Sequence, residues 1–124
     1  LQSTWKWEPR AVSWRLWEGD FFRSQQSAPA PDRIFYDPFS WRTTPEFWSA
    51  EACRLLYDRA NPGALGITYA TARWIRRALF EAGFLVARGH AVGRRRHSTV
   101  FSARPRRLPT ASYLRPEVLL QSSP

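Results

Sequence analysis

The sequence predicts an open α/β sheet, mostly parallel, with helices packed on it and an antiparallel strand pair at the C-terminal end. Three observations carry this reading. Short apolar runs bounded by turn residues recur near residues 33–36, 64–69, 84–88 and 98–103, the pattern of strands buried in a sheet. Helical patterns fill the intervals between the first three runs, and strand–helix alternation implies parallel neighbours. The last two runs are joined by a short basic link, Gly93-Arg94-Arg95-Arg96, which suits an antiparallel pair.

Taken in order, Leu1 to Arg10 shows no clean period. Ser13 to Trp17 alternates toward a short strand that Glu18-Gly19-Asp20 breaks. Ser24 to Pro31 is polar and Pro-containing, a loop by composition. Arg33-Ile34-Phe35-Tyr36 reads as a buried strand. It stops at Asp37-Pro38 because Pro38 has no N–H for a sheet ladder. Thr44-Pro45-Glu46 and Ser49-Ala50-Glu51 both offer helix starts, with Pro45 suited to a first turn. That helix should reach about Arg59, where Asn61-Pro62-Gly63 ends it. Ala64 to Tyr69 is the next buried strand. A second helix should span about Thr71 to Ala82. Its apolar Ile75, Ala78, Leu79 and Ala82 fall at i, i+3, i+4 and i+7, and Gly83 is placed to end it. Phe84–Arg88 and Ser98–Ala103 form the final pair. From Pro105 onward, Pro105, Pro109, Pro116 and Pro124 suggest a tail that is extended or only loosely docked.

The order strand, strand, helix, strand, helix, strand, strand places ligands at the carboxyl ends of the strands. Three such ends carry polar signals: Gly19-Asp20, Asp37-Pro38-Phe39-Ser40, and Tyr69 with Thr71. All three are expected on one rim.

Charge adds a partner class. The chain carries a net charge of +9. Residues 1–70 hold eight Lys+Arg against eight Asp+Glu, whereas residues 71–124 hold eleven Arg against Glu81 and Glu117. An excess confined to one half points to an anionic partner, nucleic acid first. A genome that prefers Arg explains why Lys6 is the sole Lys, but not the shortage of acids after residue 71. With 44% hydrophobic and 15% aromatic residues, the chain can bury a core and is not disordered throughout. No apolar run approaches membrane-spanning length, and no membrane partner is expected. Cys53 is the only cysteine, so an internal disulfide and a Cys-rich zinc site are excluded; with Leu55 and Leu56 beside it, Cys53 reads as a buried thiol. His90 and His97 have no second ligand near them in sequence, so no metal is expected. With no Met, the sequence is expected to be a portion of a longer protein.

Asp37-Pro38-Phe39-Ser40 followed by Pro45-Glu46-Phe47-Trp48 resembles the tRNA wobble-uridine aminomethyl methyltransferases, the methyltransferase part of the MnmC family. Three further stretches agree with that family in order and spacing. Leu16-Trp17-Glu18-Gly19-Asp20 is similar to its strand ending in Gly-Asp. Thr68 to Ala72, with Arg76-Arg77-Ala78-Leu79 and Ala82-Gly83-Phe84, is similar to its strand and Arg-Arg helix. Gly93 to Arg96 is similar to its Gly-x-Lys-Arg turn, although His97 stands where the family has an acid. The resemblance runs from about Leu16 to Phe101. The family's glycine-rich cofactor loop has no counterpart here, and Leu1 to Arg10 has no glycine.

The resemblance implies a partial Rossmann-like methyltransferase sheet. Residues 1–104 would be the C-terminal portion of the domain and residues 105–124 a Pro-rich tail. It implies S-adenosyl-L-methionine as cofactor and tRNA, in its anticodon region, as partner. The setting would be cytoplasmic, and a fused FAD-dependent oxidase domain is allowed for in full-length relatives. The implied reaction is N-methylation of the aminomethyl group on a modified wobble uridine, with this portion alone inactive.

Residue by residue, the resemblance gives Asp37 the task of orienting a neutral amine, with Pro38 and Phe39 shaping the catalytic pocket. Gly19, Asp20 and Asp37 are the cofactor candidates, because a glycine admits close backbone approach and a carboxylate can accept from an adenine amino group. Ser40, Trp48 and Tyr69 are the substrate-pocket candidates, with Trp48 also suited to packing beneath the loop. Arg76, Arg77, Arg94, Arg95 and Arg96 are the RNA-binding candidates, because guanidiniums pair with phosphates bidentately. Two other readings stand beside this one: a non-catalytic α/β RNA-binding module, and a related methyltransferase with another substrate, since one fold hosts many chemistries.

Overall fold

The computed structural model describes residues 12–38, 40, 42–91, 97–105, 108 and 113–121. The chain divides into two compact units, Leu1–Ala30 and Pro31–Pro124, which are taken separately.

In the first unit the expected strand at Ser13–Trp17 does not form. Val12 to Glu18 has no regular structure, and Val12, Trp14 and Leu16 are all more than half exposed. Alternation alone does not make a strand, because the backbone groups need a partner ladder, and none is present among the described residues. A short helix not foreseen from the sequence follows, α1 (Phe21–Ser24), with Phe21 and Phe22 packed edge to face at 5.5 Å.

The second unit is built on a four-stranded sheet. The strands are β1 (Arg33–Phe35), β2 (Leu65–Thr68), β3 (Leu85–Arg88) and β4 (Thr99–Ser102). Between them lie α2 (Ala50–Arg59) and α3 (Arg73–Ala82). A 3-10 turn, Pro45–Trp48, precedes α2, so Pro45 begins a tighter helix than expected. Ser49 starts α2, its hydroxyl accepting the Ala52 N–H at 3.1 Å, as a helix N-cap should. Gly83 ends α3 at φ +121°, a conformation that L side chains resist. There it packs on the Tyr57 ring.

Sheet order is β1-β2-β4-β3. The β1–β2 pair is parallel, with Ile34 opposite Gly66. Strand β4 runs antiparallel to both β2 and β3. The expected antiparallel pair is therefore present at one end of the sheet, with β3 outermost and β4 between β2 and β3. The crossover through α3 carries β3 one strand position past β2, and β4 turns back to fill the gap. Ile34, Gly66, Phe101 and Val86 share one row across the sheet. Behind that row Phe101 packs on Phe84 at 4.9 Å, and Phe84 on Tyr57 of α2 at 5.1 Å. Together with Ile75 and Leu79 of α3, these rings form the centre of the core. On the opposite face Phe35, Leu65, Ile67 and Val100 line an apolar groove of about 180 Å³, and Phe35 is 83% exposed. The sequence reading has residues 33–36 as a buried strand; within β1 only Ile34 is buried.

The tail is held more firmly than its prolines suggest. The Leu114 N–H donates to Val86 O at 2.7 Å, and Tyr113 bridges to Ala87 on the outer edge of β3. A final short helix, α4 (Pro116–Leu119), packs on α3 with Leu119 fully buried. One apolar anchor outweighs the extended bias of the flanking prolines.

Candidate active site

The parallel pairing of β1 and β2 brings two strand ends side by side. The Tyr36 N–H donates to Ile67 O at 3.0 Å, extending the ladder by one bond. The next residue is Asp37. Its Oδ1 accepts the Tyr69 N–H at 2.9 Å and the Thr68 hydroxyl at 3.2 Å. Asp37 is exposed, and its Oδ2 accepts no hydrogen bond among the described residues. One carboxylate oxygen is thus fixed to the neighbouring strand while the other faces outward. Pro38 follows and has no backbone N–H to donate.

Beneath this rim Tyr36 and Trp48 pack edge to face at 5.1 Å, and the Tyr36 hydroxyl donates to Phe47 O at 2.6 Å. Trp48 is 3% exposed: it supports the loop from the core. Burial, and then neighbouring Cys53, hold the Tyr36 phenol well above its ordinary range. Burial also pushes the Cys53 thiol up to about 11, which keeps it protonated and unreactive. Ser40 is exposed and organises the turn after the strand. Its carbonyl accepts the N–H groups of Thr43 and Thr44 at 2.9 and 3.0 Å, and its hydroxyl accepts the Arg42 N–H at 3.3 Å. Tyr69 is half exposed at the end of β2. Phe39 lies outside the described residues, as do Arg94, Arg95 and Arg96.

The two arginines of α3 part company. Arg77 is exposed and pairs with Glu81 one turn on, Nε to Oε1 at 2.7 Å. Arg76 is buried. Its Nε donates to the Thr99 hydroxyl at 2.9 Å and its Nη2 to Ser98 O at 3.2 Å. It makes no ion pair with a carboxylate among the described residues. Burial, and then the positive charge of Arg88, push its pKa down from the ordinary guanidinium value.

In the first unit Gly19 has φ +118°, and a Cβ placed on it would meet nothing within 4 Å. Asp20 precedes α1 and makes no side-chain capping bond. Both residues line a cavity of about 290 Å³ with Trp17, Glu18, Arg23, Ser24 and Ser27. Trp17 Nε1 is buried without a hydrogen-bond partner among the described residues.

A family model described as S-adenosyl-L-methionine-dependent methyltransferase matches residues 2–103. The chain belongs to that family. Two relatives of this methyltransferase chain are tRNA 5-methylaminomethyl-2-thiouridine biosynthesis bifunctional proteins MnmC. The protein from Cupriavidus necator is 38% identical over 78 residues, 63% of this chain. The one from Hahella chejuensis is 38% identical over 69 residues, 56% of this chain. The chain spans only 12% and 11% of those proteins' own length. The crystal structure of MNMC2 from Aquifex aeolicus superposes with a TM-score of 0.72 at 25% identity, covering 85% of this chain and 35% of that one. The Rossmann-like methyltransferase fold expected from the resemblance is therefore the fold of this chain.

Sequence reasoning named Asp37 and Tyr69 but missed Thr68, whose hydroxyl bonds Asp37, and Thr99, which bonds Ala70 O behind it. Thr68 and Thr99 are buried hydroxyl residues on strands. Their signal was available: a polar residue on the inward-facing phase of an apolar strand needs a hydrogen-bond partner. Which partner it finds depends on strand order, and local pattern does not contain that.

Proposed function

We propose that this chain carries the amine-orienting side of a methyl-transfer site acting on the aminomethyl group of a modified wobble uridine, in the anticodon region of tRNA. The observation that supports it is the split carboxylate of Asp37 at the carboxyl ends of two parallel strands, with Oδ1 tied to Thr68 and Tyr69 and Oδ2 accepting no hydrogen bond among the described residues. S-adenosyl-L-methionine supplies a methyl group made electrophilic by its sulfonium. An amine attacks such a carbon only when neutral and in line, about 3–3.5 Å away. Asp37 Oδ2 accepts an N–H of the amine, which turns the nitrogen lone pair away from the carboxylate. As the N–C bond forms and the methyl–sulfur bond breaks, the sulfur is left as a neutral thioether and the nitrogen becomes cationic; the Asp37 charge beside it stabilises that change, and the ammonium then gives up its extra proton to solvent. Pro38, Phe39, Ser40 and Tyr69 bound the pocket for the uridine ring in this reading.

For the cofactor, the cavity with Gly19 and Asp20 fits an adenine moiety. Its volume is near the lower end for small-molecule sites. Asp20 has a carboxylate without a capping bond, and Gly19 leaves open space at its Cα. Arg77, Arg94, Arg95 and Arg96 are the phosphate contacts in this reading. The Arg77–Glu81 pair is an exposed i, i+4 pair worth about 0.3–0.5 kcal/mol, easily exchanged for a phosphate. Arg76, being buried, is not among them. The relatives' description as bifunctional accords with a fused FAD-dependent oxidase domain, and a tRNA substrate accords with a cytoplasmic setting.

The test is methyl transfer to undermodified tRNA by the full-length protein. Asp37→Asn should lower kcat by about a hundredfold and leave cofactor affinity within twofold. Asp20→Ala should do the reverse, weakening cofactor binding in calorimetry more than it slows transfer. Wild-type kcat in Asp37→Asn would overturn the reading.

A further inference from the structure

Arg76 has an unusual place for a charged residue. Moving a guanidinium into a protein interior is costly, and an opposite charge is the common compensation. Here the compensation is two uncharged acceptors, the Thr99 hydroxyl and Ser98 O. The bonds beyond them continue in one direction. The Thr99 hydroxyl, accepting from Arg76, donates in turn to Ala70 O at 2.6 Å. The Ala70 N–H donates to the Thr68 hydroxyl at 3.2 Å, and that hydroxyl donates to Asp37 Oδ1. The path begins at a cation and ends at a carboxylate, with every donor pointing toward Asp37. It passes through Ala70, whose carbonyl is held on one side and whose N–H is held on the other.

The orientation of each hydroxyl is fixed by these neighbours. Thr99 accepts a hydrogen bond from a charged group and donates its own O–H to Ala70 O. Thr68 accepts one from the Ala70 N–H and donates its own O–H to Asp37. Hydrogen bonds with a charged member are the stronger ones, and neighbours in a chain polarise one another. The short Thr99–Ala70 bond agrees with that. The segment from Thr68 to Ala70 takes in the last residue of β2 and the start of the connection after it, and it also gives Asp37 its backbone donor, Tyr69 N–H.

We infer that Arg76 is a positioning residue, which through Thr99 and Ala70 clamps the Thr68–Ala70 segment and so fixes the aim of the Asp37 carboxylate. The inference rests on the proposed role of Asp37 in methyl transfer. Its structural half, the clamp, stands apart from that role and has its own readout.

Thr99→Val keeps the shape of the side chain and removes the hydroxyl; Thr99→Ser keeps the hydroxyl. The full-length protein is followed in two ways, by residue-resolved amide hydrogen exchange and by steady-state methyl transfer. In Thr99→Val the Tyr69 and Ala70 amides should exchange roughly tenfold faster, while amides in α2 and at the centre of β2 keep wild-type rates. In the same variant kcat should fall roughly tenfold, with the KM for S-adenosyl-L-methionine within twofold, because a small misplacement costs rate rather than binding. Thr99→Ser should restore both. Arg76→Lys is the second variant should Thr99→Val not fold: it keeps the charge, loses the fork that reaches Thr99 and Ser98 together, and should give the same local exchange signature.

Unchanged exchange at Tyr69 and Ala70 would overturn the clamp, as would acceleration spread evenly over the protein. Faster local exchange with unaltered kcat would overturn the link to Asp37. A wild-type protein that transfers no methyl group to any modified uridine would defeat the proposed function, and the exchange measurement would still decide the clamp.

Discussion

Adding a single methyl group to Gly66 should destabilise the fold more than most surface changes, and the structure says by what route. Gly66 and Phe101 are direct partners across the β2–β4 ladder. A Cβ built on Gly66 would lie 2.2 Å from both Cε2 and Cζ of the Phe101 ring. The ring is fully buried and cannot retreat freely, because Phe84 packs against it at 4.9 Å and Tyr57 backs Phe84 at 5.1 Å. Overpacking of this kind costs about 1–3 kcal/mol, and the edge-to-face rings behind Phe101 put Gly66→Ala near the upper limit. For a chain of this size 1 kcal/mol corresponds to about 4 °C in Tm, so a fall of about 10 °C is expected. The assay is urea and thermal unfolding followed by circular dichroism, for Gly66→Ala, Phe101→Leu and the double variant. Phe101→Leu alone opens a void and is destabilising. The double variant should cost at least about 1 kcal/mol less than the sum of the two. Additive costs, or a Gly66→Ala loss below about 0.5 kcal/mol, would show that the ring does not fill the glycine's space and would refute the packing argument.

Three other outcomes are expected. The Cys53 thiol is raised by burial to about 11 from an ordinary value near 9, so the folded state resists its ionisation while the unfolded state does not. The stability it contributes is therefore complete below about pH 9 and declines as pH rises toward 11; Cys53→Ala should flatten that segment of the stability–pH curve, and an unchanged curve would count against the burial. Leu119→Ala should cost about 2–5 kcal/mol and increase proteolysis after residue 105, whereas no change in either would mean that α4 is not an anchor. Replacing Arg94, Arg95 and Arg96 with Ala should reduce the slope of log affinity for tRNA against log salt by about 0.7–0.9 for each phosphate left unneutralised, and an unaltered slope would remove these residues from the interface.

Helices α2 and α3 and four of the expected strands were legible because each carries its own local signal. Ser49 and Gly83 mark the ends of α2 and α3 by their chemistry, and the spacing of Ile75, Leu79 and Ala82 gives the buried face of α3. What lay beyond local pattern was anything decided by a distant neighbour. Ser13 to Trp17 has the alternation of a strand without a ladder to join. Strand β4 reads as the partner of β3, which it is, but nothing near it in sequence says that β2 is its partner too. Asp37 was visible from its place before Pro38 at a strand end. Its anchorage was not, because Thr68, which bonds it, and Thr99, which bonds Ala70 beyond that, stand 31 and 62 residues farther along the chain. Arg76 and Arg77 look alike on paper; a turn of about 100° around the α3 axis sends one into the interior and leaves the other outside.

The position of β4 also sets an order on assembly. Until residues 99–102 are in place, β2 has one open side and β3 has no neighbour in the sheet, since both pair with β4 and not with each other. The strand works like the keystone of an arch, the late piece that turns separate stones into a span. A ribosome that has released the chain only as far as the basic link would expose β2 and β3 as two unjoined edges, each a template for foreign strands. The risk ends when β4 slides between them and Tyr113 and Leu114 close over the outer side of β3. Chaperone demand during synthesis should thus be concentrated in one short interval, between the emergence of β3 and the arrival of the tail.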